Sequence, residues 1–300
     1  EIHIMKKESF KNQAREHQLA WKAEQIGPEY DKYKTWLIEK DAKAGKNFFD
    51  PENVHGLNIF NGTEISVLKR YPNYRKSLMA DILRSEHIPF NFFVPFNKDF
   101  DFLKNVLNVF LKDTIKTVTQ IKIEYAPSPR ERYLDDGTAF DVYIEYIHTD
   151  GSNGGIGIEV KYTEKAYPLK KKSKEYTDVH NKKSKYYVVS EKSGTFDMEH
   201  IDIMIENDFR QLWRNHLLVE SVKQNGSIKH ASSILLSPKD NDHFSSVCKR
   251  YSDLLKQKDS FLYITYESFI DTCKIFYIKS KFNESFKVWL DYLENRYIVS

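Results

Sequence analysis

Ala139-Phe-Asp-Val-Tyr-Ile-Glu-Tyr-Ile147 is followed by Thr149-Asp-Gly-Ser-Asn-Gly-Gly155 and then by Ile156-Gly-Ile-Glu-Val-Lys-Tyr162. The outer segments alternate with the period of two that a strand imposes, and the middle one is turn chemistry throughout. Together they predict a β-hairpin. In its first strand Val142, Ile144 and Tyr146 share one face, and Asp141, Tyr143 and Glu145 share the other. In its second strand Ile156, Ile158, Val160 and Tyr162 oppose Gly157, Glu159 and Lys161. One face is apolar enough for a core. The other sets a carboxylate beside an ammonium inside a sheet, which is costly unless the charges are paired or face a cleft. With normal pairing Asp141 approaches Glu159 and Lys161, so two carboxylates and one ammonium surround a single pocket.

Upstream, residues 117–124 are β-branched and alternating and predict another strand, with a loop over 125–138. Leu103, Val106, Leu107, Phe110 and Leu111 recur at helical spacing and predict an amphipathic helix over 99–113. A helix is expected over 72–85, opening on Pro72. Ile88-Pro-Phe-Asn-Phe-Phe-Val-Pro-Phe96 reads as a buried connector rather than a regular helix. Residues 6–45 read as solvated helices packed by Trp21, Tyr30, Tyr33 and Trp36. Downstream, residues 163–198 read as long, irregular and lysine-rich, and 199–224 as a strong helix closed by Asn225-Gly226. A strand over 231–237, a helix near 242–257, a short strand near 261–265 and a final helix near 283–296 follow. The order α-β-β-β-α-β predicts an α/β fold with a mixed central sheet flanked by helices. Residues 1–70 are expected to form an N-terminal helical extension, and residues 71–300 the domain that holds the sheet.

Composition narrows the function classes. In 300 residues, 40% apolar and 30% charged, with 20 Phe and 19 Tyr, there is ample material for a core and no disorder signature. No apolar run approaches the roughly 20 residues of a membrane helix, and no signal-peptide pattern is visible. Cys248 and Cys273 form no CxxC pair, which excludes a disulfide framework and argues against structural zinc. A reducing, cytoplasmic setting is expected. Phosphate-loop, dinucleotide-turn and Gly-x-Ser-x-Gly patterns are missing. The net charge of +3 is too balanced to argue for nucleic acid, but residues 161–185 hold nine lysines against Glu164, Glu175 and Asp178, with Tyr162, Tyr167 and Tyr176 interleaved. Lys170, Lys171 and Lys172 are candidate phosphate contacts, and a solvated loop is the other reading. The lack of Arg there argues against bidentate base reading.

Two neighbouring carboxylates repel, and a divalent cation relieves the repulsion; oxygen ligands suit Mg²⁺. Such a cation can activate water for phosphodiester hydrolysis, with a lysine holding the water or the developing charge. A Glu-x-Lys pair on a strand is also a common ion pair with no chemistry.

Asp141 within Thr138-Ala-Phe-Asp-Val142, followed 18 residues later by Glu159-Val-Lys161, resembles the PD-(D/E)XK nuclease superfamily. A restriction-endonuclease-like bacterial family within it is similar at three further segments. These are Arg84-Ser-Glu-His-Ile-Pro-Phe-Asn-Phe-Phe93, Ile158-Glu-Val-Lys-Tyr-Thr-Glu164 and Gln211-Leu-Trp-Arg-Asn-His-Leu-Leu218. The resemblance implies Asp141 and Glu159 as metal ligands, Lys161 as the catalytic lysine, and a Mg²⁺-dependent DNA endonuclease in which Mn²⁺ substitutes. It also implies Gln211 as a catalytic-site residue, Arg214 as a nucleic-acid contact, duplex DNA as partner and a homodimer as the cutting form. Asp81 and Glu164 are accessory candidates. Asp81 is the only carboxylate in Leu78-Met-Ala-Asp-Ile-Leu83, where such families often carry a glutamate. A catalytically silent nucleic-acid-binding protein of the same fold is the alternative, and a structural α/β protein a third. His216 is expected to be a packed histidine.

Overall fold

The computed structural model describes residues 9–37, 59–60, 62–72 and 81–299. Helix α1 (Phe10–Ile26) comes first, and α2 (Phe100–Phe110) leads into β1 (Ile115–Tyr125), β2 (Phe140–His148) and β3 (Asn153–Val160). Then follow α3 (Asn207–Gln224), β4 (His230–Ser237), α4 (Asp242–Asp253), β5 (Phe261–Thr265), α5 (Tyr266–Phe276) and α6 (Asn283–Tyr297). The five strands form one sheet in sequence order. Pairing is antiparallel for β1–β2 and β2–β3 and parallel for β3–β4 and β4–β5. This is the mixed sheet the sequence predicts, in a restriction-endonuclease-like arrangement.

The period of two sorts the strand residues into two cores. Val142, Ile144, Tyr146, Ile156, Ile158 and Val160 pack against α2, α5 and α6 and the Phe92, Phe93 and Phe96 rings. Tyr143 and Leu235 turn the other way, onto α3 and α4, and Phe140 at the start of β2 joins them against the alternation. On that side β3 carries Gly155 and Gly157, where an added Cβ would run into the rings of Tyr143 and Phe140. These glycines let the β2 aromatics lie flat across β3.

Several elements differ from expectation. Ile88–Phe93 is a short buried α-helix and Val94–Lys98 a 3₁₀ turn. Pro89 and Pro95 are tolerated because each sits at a helix start, where its missing N–H has no intrahelical partner. Asn91 anchors the segment: its amide donates to Tyr297 Oη at 2.8 Å, and its carbonyl accepts from Trp289 Nε1 at 2.7 Å. The helix expected over 72–85 lies mainly outside the described residues; Asp81 forms an isolated bridge with Trp36, and residues 82–85 are not helical. The lysine-rich stretch is not wholly irregular, since it contains helices Lys174–Val179 and Lys185–Ser193. The 199–224 helix is interrupted at Glu206, whose extended backbone (ψ 155°) separates the short helix Ile201–Met204 from α3. Helix α5 has no counterpart in the sequence reading.

Helix α1 docks on α6 and on the residue after Lys161. The buried Gln18 amide donates to Tyr162 Oη at 2.9 Å and to the Arg296 carbonyl at 2.5 Å. No helix among the described residues is long and apolar enough to cross a membrane.

Candidate active site

The last bridging pair of β2 and β3 at this end of the sheet is Val142 with Ile158, which sets Asp141 beside Glu159. Asp141 Oδ2 accepts from the Val160 N–H at 2.7 Å. The backbone of Lys161 prolongs the sheet past β3, with its N–H on the Leu236 carbonyl at 2.9 Å and its own carbonyl accepting from Tyr266 Oη at 2.6 Å. Asn241 Nδ2 fixes the Tyr162 carbonyl at 2.9 Å. The backbone that carries the Glu-x-Lys pair is therefore held from β4, α5 and the start of α4.

Lys161 Nζ lies 2.5 Å from Glu159 Oε1, with the two side chains 11% and 7% exposed. Gln211 also donates to Glu159 Oε1, and Asn215 donates to Oε2. These amides stand four apart on α3, so one helix face meets both carboxylate oxygens. Burial, and then the charge of Glu159, push Asp141 well above the usual carboxylate range. Burial opposes the charge on Lys161, but Glu159 and Asp141 outweigh it and raise its pKa. Two acids and one base thus share a largely buried site, short of one positive charge. The donors that remain are carboxylate oxygens, which fit a hard divalent cation.

Residues 6–299 match the family model described as the PD-(D/E)XK nuclease superfamily. The chain belongs to this superfamily. No curated protein and no solved structure matches it. The superfamily typically works with divalent metals.

The other sequence candidates have varied surroundings. Gln211 reaches Glu159. Glu164 Oε2 accepts from the Tyr162 N–H at 2.8 Å, and its charge helps to raise Lys161. Asp81 engages the Leu83 N–H at 3.2 Å and Arg84 at 3.5 Å; none of its described partners belongs to the carboxylate pocket. Arg214 spends its guanidinium on protein acceptors: Tyr186 Oη (2.8 Å), Tyr167 Oη (3.2 Å), Glu175 (3.1 Å), Asp136 (3.3 Å) and Thr138 Oγ1 (2.6 Å). Lys170, Lys171 and Lys172 are exposed in the turn before Lys174–Val179. His216 is fully buried beside Phe196 and Tyr251, and burial lowers its pKa to about 3, so it stays neutral.

Two residues escaped the sequence reading. Asn215 follows Gln211 by one helical turn, and that spacing was the available signal. Glu124 lies near the end of β1 between the pairs Ile123–Val142 and Tyr125–Phe140, opposite Asp141, whose pKa its charge helps to raise. Only the register could reveal it.

Proposed function

We propose that this superfamily member is a Mg²⁺-dependent endonuclease that hydrolyses phosphodiester bonds of duplex DNA, with Mn²⁺ able to substitute. The observation that carries the reading is the buried Glu159–Lys161 pair with Asp141 beside it, a charge arrangement that a purely structural protein has little reason to bury. Asp141 and Glu159 would hold the cation, which when bound supplies Lewis-acid polarisation and a water of lowered pKa. Lys161 orients the attacking water and stabilises charge developing on the phosphate oxygens. Gln211 and Asn215 hold Glu159 in position. Arg214 anchors the surrounding segments, and Lys170, Lys171 and Lys172 meet the DNA backbone.

The test is incubation with supercoiled plasmid in Mg²⁺, Mn²⁺ or EDTA, beside a Glu159→Ala, Lys161→Ala double variant. Nicking or linearisation is expected with either cation and not with EDTA or the variant. Salt-sensitive DNA binding without cleavage under any cation would instead favour a silent binding protein of the same fold.

A further inference from the structure

His148 closes β2, Asp150 lies in the turn beyond it, and His230 opens β4. Tyr146 pairs with Gly154, and Gly154 with His230, so the three meet at the end of the sheet opposite Asp141 and Glu159. His148 Nδ1 is 3.2 Å from Asp150 Oδ1, and His230 Nε2 is 3.0 Å from Asp150 Oδ2. The imidazoles stack 3.7 Å apart at 13°, and one donor atom from each residue lies within 4.8 Å of the others.

The protonation pattern is informative. The Asp150 N–H donates to His148 Nδ1 at 3.1 Å. A ring nitrogen that accepts carries a lone pair and no proton, so it cannot also donate to Oδ1. That lone pair and a carboxylate oxygen therefore face each other at 3.2 Å, and a cation between them would take the lone pair in place of the Asp150 N–H. The carboxylate is held in place by Ser152, which donates to Oδ1 from its N–H at 2.9 Å and its hydroxyl at 2.5 Å. Such outer contacts orient a metal ligand. Lys229 Nζ, 3.1 Å from Oδ2 on a largely exposed side chain, is the one competing cation in direct contact among the described residues.

We propose that His148, Asp150 and His230 bind a divalent transition-metal ion of the Zn²⁺ class. The ligands are His148 Nδ1, one Asp150 oxygen and His230 Nε2, with the His230 ring proton on Nδ1 and the Lys229 ammonium displaced. Two nitrogens and one oxygen suit Zn²⁺ or Co²⁺ rather than Mg²⁺, and three protein ligands leave a position open. His148 and His230 also line a cleft with Lys223, Lys256 and Lys258, so water or a small anion would have access to the ion. The ion links the β2–β3 turn to the first residue of β4. The site does not depend on the nuclease reading.

The experiment is calorimetric titration of the full chain with Zn²⁺ and Co²⁺ in Mg²⁺-containing buffer, in an Asp141→Asn, Glu159→Gln background that weakens the carboxylate pocket. One equivalent should bind and raise Tm. His148→Ala or His230→Gln, introduced singly, should weaken binding at least about tenfold. Lys229→Gln should tighten it. Melting in EDTA establishes that each variant is folded, and if one histidine variant does not fold the other carries the test. Absence of Zn²⁺ and Co²⁺ binding in this background, or binding indifferent to the histidine substitutions, would overturn the proposal.

Discussion

Glu159 has little freedom, since Gln211 and Lys161 meet one oxygen and Asn215 the other. Holding a carboxylate still matters where small misplacements slow a reaction. Asn215→Ala removes the donor to Oε2 without touching the motif. In a plasmid-nicking assay this variant should lose about 10- to 100-fold in kcat, with Kd for DNA nearly unchanged. Asn215→Asp should be worse, because it sets a third carboxylate against Glu159. Parallel losses in kcat and Kd, or a Tm drop that accounts for the rate, would mean that Asn215 serves packing alone. The site was half legible at this scale. Alternation put Asp141, Glu159 and Lys161 on one face, because strand geometry fixes facing from spacing alone. Glu124 and the His148–Asp150–His230 group were not legible, since their meeting depends on register and on a β4 partner 80 residues from Asp150 in the chain.

Arg214 acts between elements rather than within one. It joins α3 to Asp136 and Thr138 of the loop before β2 and to Tyr167 and Glu175 of the lysine-rich segment. Arg210, one turn earlier, bonds Glu175 at 2.7 Å and the Tyr167 carbonyl at 2.8 Å. Two arginines thus fasten the basic segment to the helix that carries Gln211 and Asn215. Arg214→Met leaves Asp136 without its arginine in a largely buried setting, while Glu175 keeps Arg210; breaking such a pair costs about 3–5 kcal/mol. Chemical denaturation should register a loss of that order, and hydrogen exchange should accelerate first over residues 163–180. Uniform exchange with unchanged stability would contradict the clamp. The same contacts explain why this segment reads as irregular: its order comes from α3 and not from its own periodicity. Helix α5 was hidden for another reason. β5 runs into it with no loop, and its start is marked only by the Thr265–Ser268 capping box. Strands β1 to β3 were legible because alternation and turn chemistry agreed, and the sequence also marked β4 and β5.

On the scale of the molecule, a basic segment follows the carboxylate pocket along the chain. The Asp141–Glu159–Lys161 pocket lies at one end of the sheet, and the basic segment that follows Lys161 passes through exposed Lys170, Lys171 and Lys172 before α3 is reached. Among the described residues these three side chains have no ion-pair partner, unlike Lys174, which lies 3.1 Å from Asp178. In the proposed function, unpaired lysines neutralise backbone phosphates and release counterions. Each phosphate neutralised on duplex DNA contributes about −0.9 to the slope of log K against log salt. If all three make contact, the triple variant Lys170→Ala, Lys171→Ala, Lys172→Ala should make that slope shallower by about 2.7. Binding should weaken by a similar factor on duplexes of unrelated sequence, because backbone contacts carry no base information. Measuring this in the uncleaving Glu159→Gln protein separates binding from turnover, and single-turnover cleavage at saturating DNA should then be little changed in the triple variant of the wild-type site. A slope that does not move would leave the lysines as a solvated turn and assign the DNA track to another face of the same sheet end.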